Sequence, residues 1–250
     1  MWNVHPIPAL SDNYIWLLHS GKSAVVVDPG TARPVTSTLQ RQGLTLTAIL
    51  LTHHHADHQG GAKELRTLSG ARVYGTASPH SPFVTDVLKG GETLALSDPA
   101  VRFQVLSVPG HTRDHLAFYT EGILFCGDTL FSAGCGRLLG GSAAEMAASL
   151  GLLASLPDET KVYAAHEYTR ENLRFALLVE PENVLLRHMT EEAGRHHLST
   201  LPSTIGQEKA INPFLRCSEP AVLQAARRRD ARARDPVSVF AALRAWKDEF

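Results

Sequence analysis

The apolar stretch at 46–51, ending in Ile49-Leu50-Leu51, runs directly into Thr52-His53-His54-His55-Ala56-Asp57-His58. A short run of that hydrophobicity reads as a buried strand. Where a strand ends and a loop begins, a rigid scaffold aims side chains at a shared point. Packing gains nothing from imidazoles and a carboxylate crowded at such a place, so the chain must fold to present strand ends to a polar site. In an extended backbone His53 and His55 project to one side and His54 to the other. The chain then turns, which lets Asp57 and His58 face a neighbouring position. Two imidazoles for one ion, and a carboxylate with an imidazole for another, suit two metal ions.

The same donors recur further along, each after a predicted strand. His111 follows Ser107-Val108-Pro109-Gly110, Asp128 follows the strand at 123–127, and His166 follows the one at 162–165. Zinc and similar divalent metals accept neutral imidazoles and carboxylates. A carboxylate offers two oxygens and can bridge two ions, the role that suits Asp128. The chain carries 13 histidines, and it is their placement that gives the composition meaning.

The remaining pattern divides the chain in two. Up to about residue 165 it is strand-rich, with predicted strands at 14–18, 24–28, 46–51, 101–108, 115–120, 123–127 and 161–165. Helices are predicted at 35–42, closed by Gly43, at 60–68 and at 142–156, where Ser142 and Glu145 form a capping-box pattern. From Arg170 the periodicity is helical: 171–179, 181–197, 220–234 and 236–247. The expected class is α+β: helices covering two sheets at 1–169, then a helical domain at 170–250. Formal net charge is -1, from 24 Lys and Arg against 25 Asp and Glu, which gives no footprint for nucleic acid or a membrane surface. No apolar run approaches the roughly 20 residues of a membrane span. Three cysteines without a CxxC, and no signal-peptide pattern at the start, lead us to expect reduced thiols and a cytoplasmic protein. Cys126 reads as core, and Cys135 is assigned no chemistry. No coiled-coil heptads occur in the tail, so a monomer is expected.

In order and spacing, His53-x-His55-x-Asp57-His58 with His111, Asp128 and His166 resembles the metallo-β-lactamase superfamily. The resemblance implies an αββα sandwich with the metal site at one edge of its sheets. Carried over by position, His53, His55 and His111 hold one metal, Asp57, His58 and His166 the other, and Asp128 bridges them with a hydroxide. Asp57, His58 and Asp128 are thereby also the catalytic residues. Asp28, in Val27-Asp28-Pro29-Gly30, matches an aspartate that supports the site from beneath; a polar turn residue before proline is the alternative reading. The implied cofactor is a pair of divalent ions, zinc first, with iron or manganese also accepted.

Within that superfamily the chain is similar to the glyoxalase II, or hydroxyacylglutathione hydrolase, family over nearly its whole length. The matching stretches are Asp12-Asn13-Tyr14, Phe131 to Arg137, Ala165-His166-Glu167-Tyr168-Thr169-Arg170-Glu171-Asn172-Leu173, Leu201-Pro202-Ser203-Thr204, Asn212-Pro213-Phe214-Leu215-Arg216, and Asp235-Pro236-Val237 on to Lys247-Asp248. This implies hydrolysis of S-(2-hydroxyacyl)glutathione thioesters, chiefly S-D-lactoylglutathione to D-lactate and glutathione, in the second step of methylglyoxal detoxification. It also implies a helical domain that holds glutathione through Arg244 and Lys247, with Arg137 and Tyr168 contributing from the metal domain. Arg244 and Lys247 stand three apart, on one face of the last helix; a solvated face is the plain alternative. The basic run from Arg227 to Arg234 reads as solvated surface. Two positions depart from the family: Arg137 where Lys is frequent, and Leu139 where Tyr is frequent, which predicts weaker thiol-side binding. Three rivals remain: a glutathione persulfide dioxygenase with one iron on two His and one Asp, a β-lactamase, and a metal-stabilised binding module. The helical tail argues against the first two, and the open His/Asp donor set against the last.

Overall fold

The computed structural model describes residues 2–195 and 199–250, in two compact units. The first runs to Ser107 and adds Asp114–Gly127; the second comprises Val108–Arg113 and Asp128–Phe250.

The first unit opens with β1 (Asn3–Ala9), β2 (Asn13–Ser20) and β3 (Ser23–Val27), then α1 (Arg33–Gln42) and β4 (Thr45–Leu50). Short helices α2 (Ala56–Gln59) and α3 (Ala62–Ser69) precede β5 (Arg72–Gly75) and β6 (Asp86–Val87). These six strands form one sheet in the order β1 to β6. It is antiparallel across β1, β2 and β3 and parallel from β3 to β6. One face packs Ile15, Leu17, Val26, Ile49 and Val73 against Val35 and Leu39 of α1 and Leu65 of α3. The alternate residues Trp16, Leu18, Val25, Val27 and Leu50 are buried too, so the sheet is covered on both faces. A second set of strands, β7 (Thr93–Ser97), β8 (Ala100–Ser107), β9 (Leu116–Thr120) and β10 (Ile123–Gly127), pairs antiparallel in sequence. On β8, Val101, Phe103 and Val105 point inward while Arg102 and Gln104 stay exposed, and Phe103 meets the Phe118 ring edge-on.

The second unit contains the small hairpin β11 (Leu130–Phe131) and β12 (Gly134–Cys135), then α4 (Ala143–Ala154), β13 (Lys161–Ala164), α5 (Thr169–Val179) and α6 (Val184–Arg195). It ends with β14 (Ser203–Thr204), paired antiparallel to β13, and α7 (Ile205–Ile211), α8 (Pro220–Arg229) and α9 (Pro236–Glu249). Ser142 and Glu145 cap α4 reciprocally, as the sequence pattern predicts. Leu173, Ala176, Leu186 and Ile211 pack around Ala133 of the hairpin. A second apolar cluster joins Phe175, Phe214, Phe240 and Trp246. Among the described residues no helix is long and apolar enough to cross a membrane.

Three sequence expectations shift here. The helix expected at 181–197 begins at Val184; residues 196 and 197 lie outside the described residues. The helix expected to reach 234 stops at Arg229, because the Asp230 carboxylate takes the Arg232 N–H at 2.9 Å and turns the chain. Strands β1, β5, β6, β7, β11, β12 and β14 and helices α2 and α7 have no counterpart among the sequence expectations.

Candidate metal centre

The parallel strands β3 and β4 end side by side, which puts Asp28 next to Thr52. Asp28 is buried and holds φ at +52°, a conformation an aspartate tolerates better than most residues. Its carboxylate accepts the Thr52 N–H at 2.8 Å, the Thr52 hydroxyl at 2.7 Å and His58 Nδ1 at 2.9 Å. That set of acceptances fixes protons further out. His58 must carry a proton on Nδ1, so its neutral form keeps the lone pair on Nε2. Thr52 has spent its hydrogen on Asp28, so its oxygen accepts from His53 Nδ1 at 3.0 Å, and His53 Nε2 is also a lone pair. Asp28 is therefore both a turn residue with positive φ and a support that sets two tautomers.

The rest of the first group follows from the turn at α2. His55 stands at its N-cap, and the chain turns so that Asp57 faces His58. His53 with His55, His53 with His58, and Asp57 with His58 each bring ligand atoms within 4.8 Å. Asn13 donates to the Asp57 carboxylate at 3.2 Å, and His58 Nε2 lies 3.4 Å from the same oxygen. His54 turns elsewhere, as extended backbone dictates: it approaches Asp114 at 3.4 Å and stacks on His80. Sequence reasoning missed His115, fully buried, whose ring stacks on His53 with centroids 4.6 Å apart. Its spacing from His111 was the available signal. Gly127, at φ +50°, admits this packing, since a Cβ there would lie 2.4 Å from the Thr52 hydroxyl and 2.8 Å from the His115 ring.

In the second unit the donors are His111, Asp128 and His166, all buried. His111 donates Nδ1–H to the Arg137 carbonyl at 2.9 Å, so its Nε2 is a lone pair, 3.4 Å from Asp128 Oδ2. The other Asp128 oxygen lies 3.4 Å from His166 Nε2. One carboxylate thus spans two imidazoles. With both rings neutral, a lone pair faces a carboxylate oxygen at His58 and at His111, an arrangement that repels unless a proton or a metal cation lies between them. A divalent metal fits that donor set, and the chemistry of the ligands excludes a thiolate site. The His166 ring is held by Tyr168, stacked at 4.7 Å, and by the edge of Phe131. Cys135 is buried, and burial pushes its thiol pKa up, which suits a residue without chemistry.

The four expected substrate-side residues have unlike surroundings. Arg137 and Tyr168 are exposed, as is Leu139 at 62%. Arg244 is only 5% exposed: one Nη donates to the Cys135 carbonyl at 2.9 Å and the other to Asp248 at 3.0 Å, and the guanidinium lies over the Phe214 ring. The solvated-face alternative therefore fails for Arg244. Lys247 is half-buried over the Phe250 and Phe175 rings, and burial lowers its pKa while Glu171 opposes that shift. In the basic run, Arg229 stacks on Trp246 at 4.4 Å, Arg227 donates to the Ala233 carbonyl, and Arg232 pairs with Asp230.

Comparison with known proteins adds a second line of observation. The family model of the metallo-β-lactamase superfamily matches residues 10–166, and that of the hydroxyacylglutathione hydrolase C-terminus matches residues 167–250. The hydroxyacylglutathione hydrolase of Nitrosomonas eutropha is 49% identical over 254 residues, covering 100% of both chains. That of Albidiferax ferrireducens is 51% identical over 253 residues, covering 98% of each. Among solved structures, TTHA1623 in a di-iron-bound form is 29% identical with a TM-score of 0.63, covering 85% of this chain and 100% of that one.

Proposed function

The chain belongs to the hydroxyacylglutathione hydrolase family, in the metallo-β-lactamase superfamily, and from that premise we propose that it hydrolyses S-(2-hydroxyacyl)glutathione thioesters. S-D-lactoylglutathione is the foremost substrate, with D-lactate and glutathione as products, which places the reaction second in methylglyoxal detoxification. The observation that carries this reading is similarity over the full length: the helical region at 167–250 matches a hydroxyacylglutathione hydrolase model as the metal-binding region matches its superfamily. A single-iron dioxygenase or a bare β-lactamase has no claim on that match.

In this reading residues 1–169 form the catalytic domain and 170–250 the thiol-carrier domain. The centre would take two divalent ions, zinc foremost: His53, His55 and His111 would hold one, Asp57, His58 and His166 the other, and Asp128 would serve both. When bound, such a pair supplies an acidified water and an electrophile for the acyl oxygen. The chain's own residues prepare the place. Asp28, acting directly on His58 and through Thr52 on His53, engages Nδ1 of both rings and leaves Nε2 of each for the centre, that of His53 lying 2.9 Å from His55 Nδ1. The Arg137 carbonyl does the same for His111. Asn13 orients Asp57. Arg137, Tyr168 and Lys247 offer cations and a hydroxyl to glutathione's carboxylates. Arg244 serves that surface from within, by holding the Cys135 carbonyl. The departing thiol needs no acid of its own, because a thiol pKa near about 8.5 makes the thiolate an adequate leaving group. The protein acts as a cytoplasmic monomer.

Steady-state hydrolysis of S-D-lactoylglutathione, set against the same lactoyl group on a small neutral thiol, tests the assignment. The expected result is a kcat/KM at least about tenfold higher for the glutathione thioester, the worth of one charged contact at about 1.4 kcal/mol. Equal and low values would overturn the substrate and the roles of Arg137, Tyr168 and Lys247 together.

A further inference from the structure

Eight residues, 129–136, join Asp128 to Arg137, and both ends of this hairpin touch a metal donor. At one end stands the Asp128 carboxylate. At the other, the Arg137 carbonyl holds His111 Nδ1 at 2.9 Å. The ends are tied together: the Gly136 N–H reaches the Thr129 carbonyl at 3.3 Å. A Cβ on Gly136 would lie 2.0 Å from the Asp128 carbonyl oxygen and 3.2 Å from the His111 ring, so the two donors share one tightly packed corner.

The hairpin is too short to satisfy its own backbone. Only Leu130 with Cys135 and Phe131 with Gly134 pair, and the tip at Ser132 and Ala133 is buried. Ala133 holds φ at +55° there. Each remaining polar group of the buried backbone needs a partner, and the partners are side chains of the C-terminal helices. The fully buried Glu208 of α7 accepts the Ala133 N–H at 2.8 Å. Asn212, at the C-cap of α7 and also fully buried, points its amide hydrogens at the carbonyls of Phe131, at 3.1 Å, and Gly134, at 2.9 Å. The same Asn212 nitrogen lies 3.1 Å from the Glu208 carboxylate. Asn172 of α5 donates to the Ser132 carbonyl at 3.0 Å, and Arg244 of α9 to that of Cys135. Burial raises the Glu208 pKa against the pull of these donors, a penalty that an apolar residue packed under the tip would not carry.

A buried carboxylate and a buried amide aimed at one short hairpin specify its position more than they add stability. We propose that Glu208 and Asn212 are positioning residues of the metal centre. From the helical C-terminal region they fix the 129–136 hairpin, and through it the Asp128 carboxylate and the His111 ring. The proposal rests on the reading that Asp128 and His111 are metal ligands.

Four variants of the full-length chain separate the possibilities: Glu208→Gln, Asn212→Ser, Asp128→Asn and Arg216→Met. Arg216 pairs with Glu180 and also donates to the Lys209 carbonyl of α7 at 3.2 Å, so its loss weakens the support of α7 without removing the side-chain bonds from Glu208 and Asn212 to the hairpin. Stripped protein is titrated with Zn2+ against a chromophoric chelator, and Tm is measured on the metal-free chains. The expected result is a loss of zinc affinity of about tenfold in Glu208→Gln and Asn212→Ser, the scale found for partners that orient metal ligands. Arg216→Met keeps the parent affinity even where its Tm falls as far. Parent-like zinc binding in both positioning variants, with binding lost in Asp128→Asn, would overturn the proposal and leave the metal assignment standing. Parent-like binding in Asp128→Asn would overturn both. Should either positioning variant fail to fold by circular dichroism, Asn172→Ser removes only the bond to Ser132, and unchanged zinc affinity there would count against the proposal.

Discussion

Asp28 shows how one side chain can set the chemistry of others that it does not resemble. Its carboxylate is buried and accepts three donors, and the Nδ1 protons of His58 and His53 follow from those acceptances. Replacing it with alanine leaves both imidazoles free to place a proton on Nε2, where a metal ion could not bind. The expected outcome for Asp28→Ala is a zinc affinity about 10- to 100-fold weaker than the parent's. Chelator competition measures it directly, and a parent-like affinity would show that the rings keep their tautomers without Asp28. The sequence made this aspartate a candidate through the pattern Val27-Asp28-Pro29-Gly30, but left its two roles as alternatives. One geometry is compatible with both: the positive φ that turns the chain also points the carboxylate back at Thr52.

On α9, Arg244 and Lys247 look equivalent from their spacing, yet the helix treats them differently. Arg244 turns inward and spends its guanidinium on Cys135 and Asp248, whereas Lys247 stays half-buried over two aromatic rings. Burial disfavours the Lys247 ammonium, so it loses its proton at a pH below the ordinary lysine value of 10.5. If this ammonium holds a carboxylate of glutathione, KM rises with pH in that alkaline range while kcat does not. Lys247→Arg, whose guanidinium stays charged throughout, should flatten the rise. Parallel KM profiles for parent and variant would remove Lys247 from the binding surface. Other elements differ in how legible they were. The donors His53, His55, Asp57, His58, His111, Asp128 and His166 stood out because such groups have no reason to gather after apolar strands. Strand β1 did not, because in His5-Pro6-Ile7-Pro8 two prolines remove alternate backbone donors; as the edge strand beside β2 it tolerates both. The Glu208 and Asn212 contacts were not legible at all. They join residues 75 and 81 apart in sequence, and nothing local marks a glutamate on a short helix as buried.

Over the molecule as a whole, the donors of the proposed centre run from His53 to His166, more than a hundred positions of chain. Metal binding is then linked to folding, because an unfolded chain cannot present those donors at once. Without a cation, lone pairs face carboxylate oxygens at 3.4 Å at both His58 and His111, and the stripped chain must bear that repulsion or take up protons. Ions that bind the folded form alone stabilise it by mass action: about 2.7 kcal/mol when free metal stands at 100 times Kd. For a chain of this size, each kcal/mol moves Tm by about 2–4 °C. Zinc added to the stripped protein should therefore raise Tm by about 5–11 °C for the first saturated site, and a strong chelator should reverse the gain. Calorimetry at several zinc concentrations reads this directly. A Tm indifferent to both zinc and chelator would mean that these donors hold no metal in the folded chain, and the proposed hydrolysis would lose its chemistry with it.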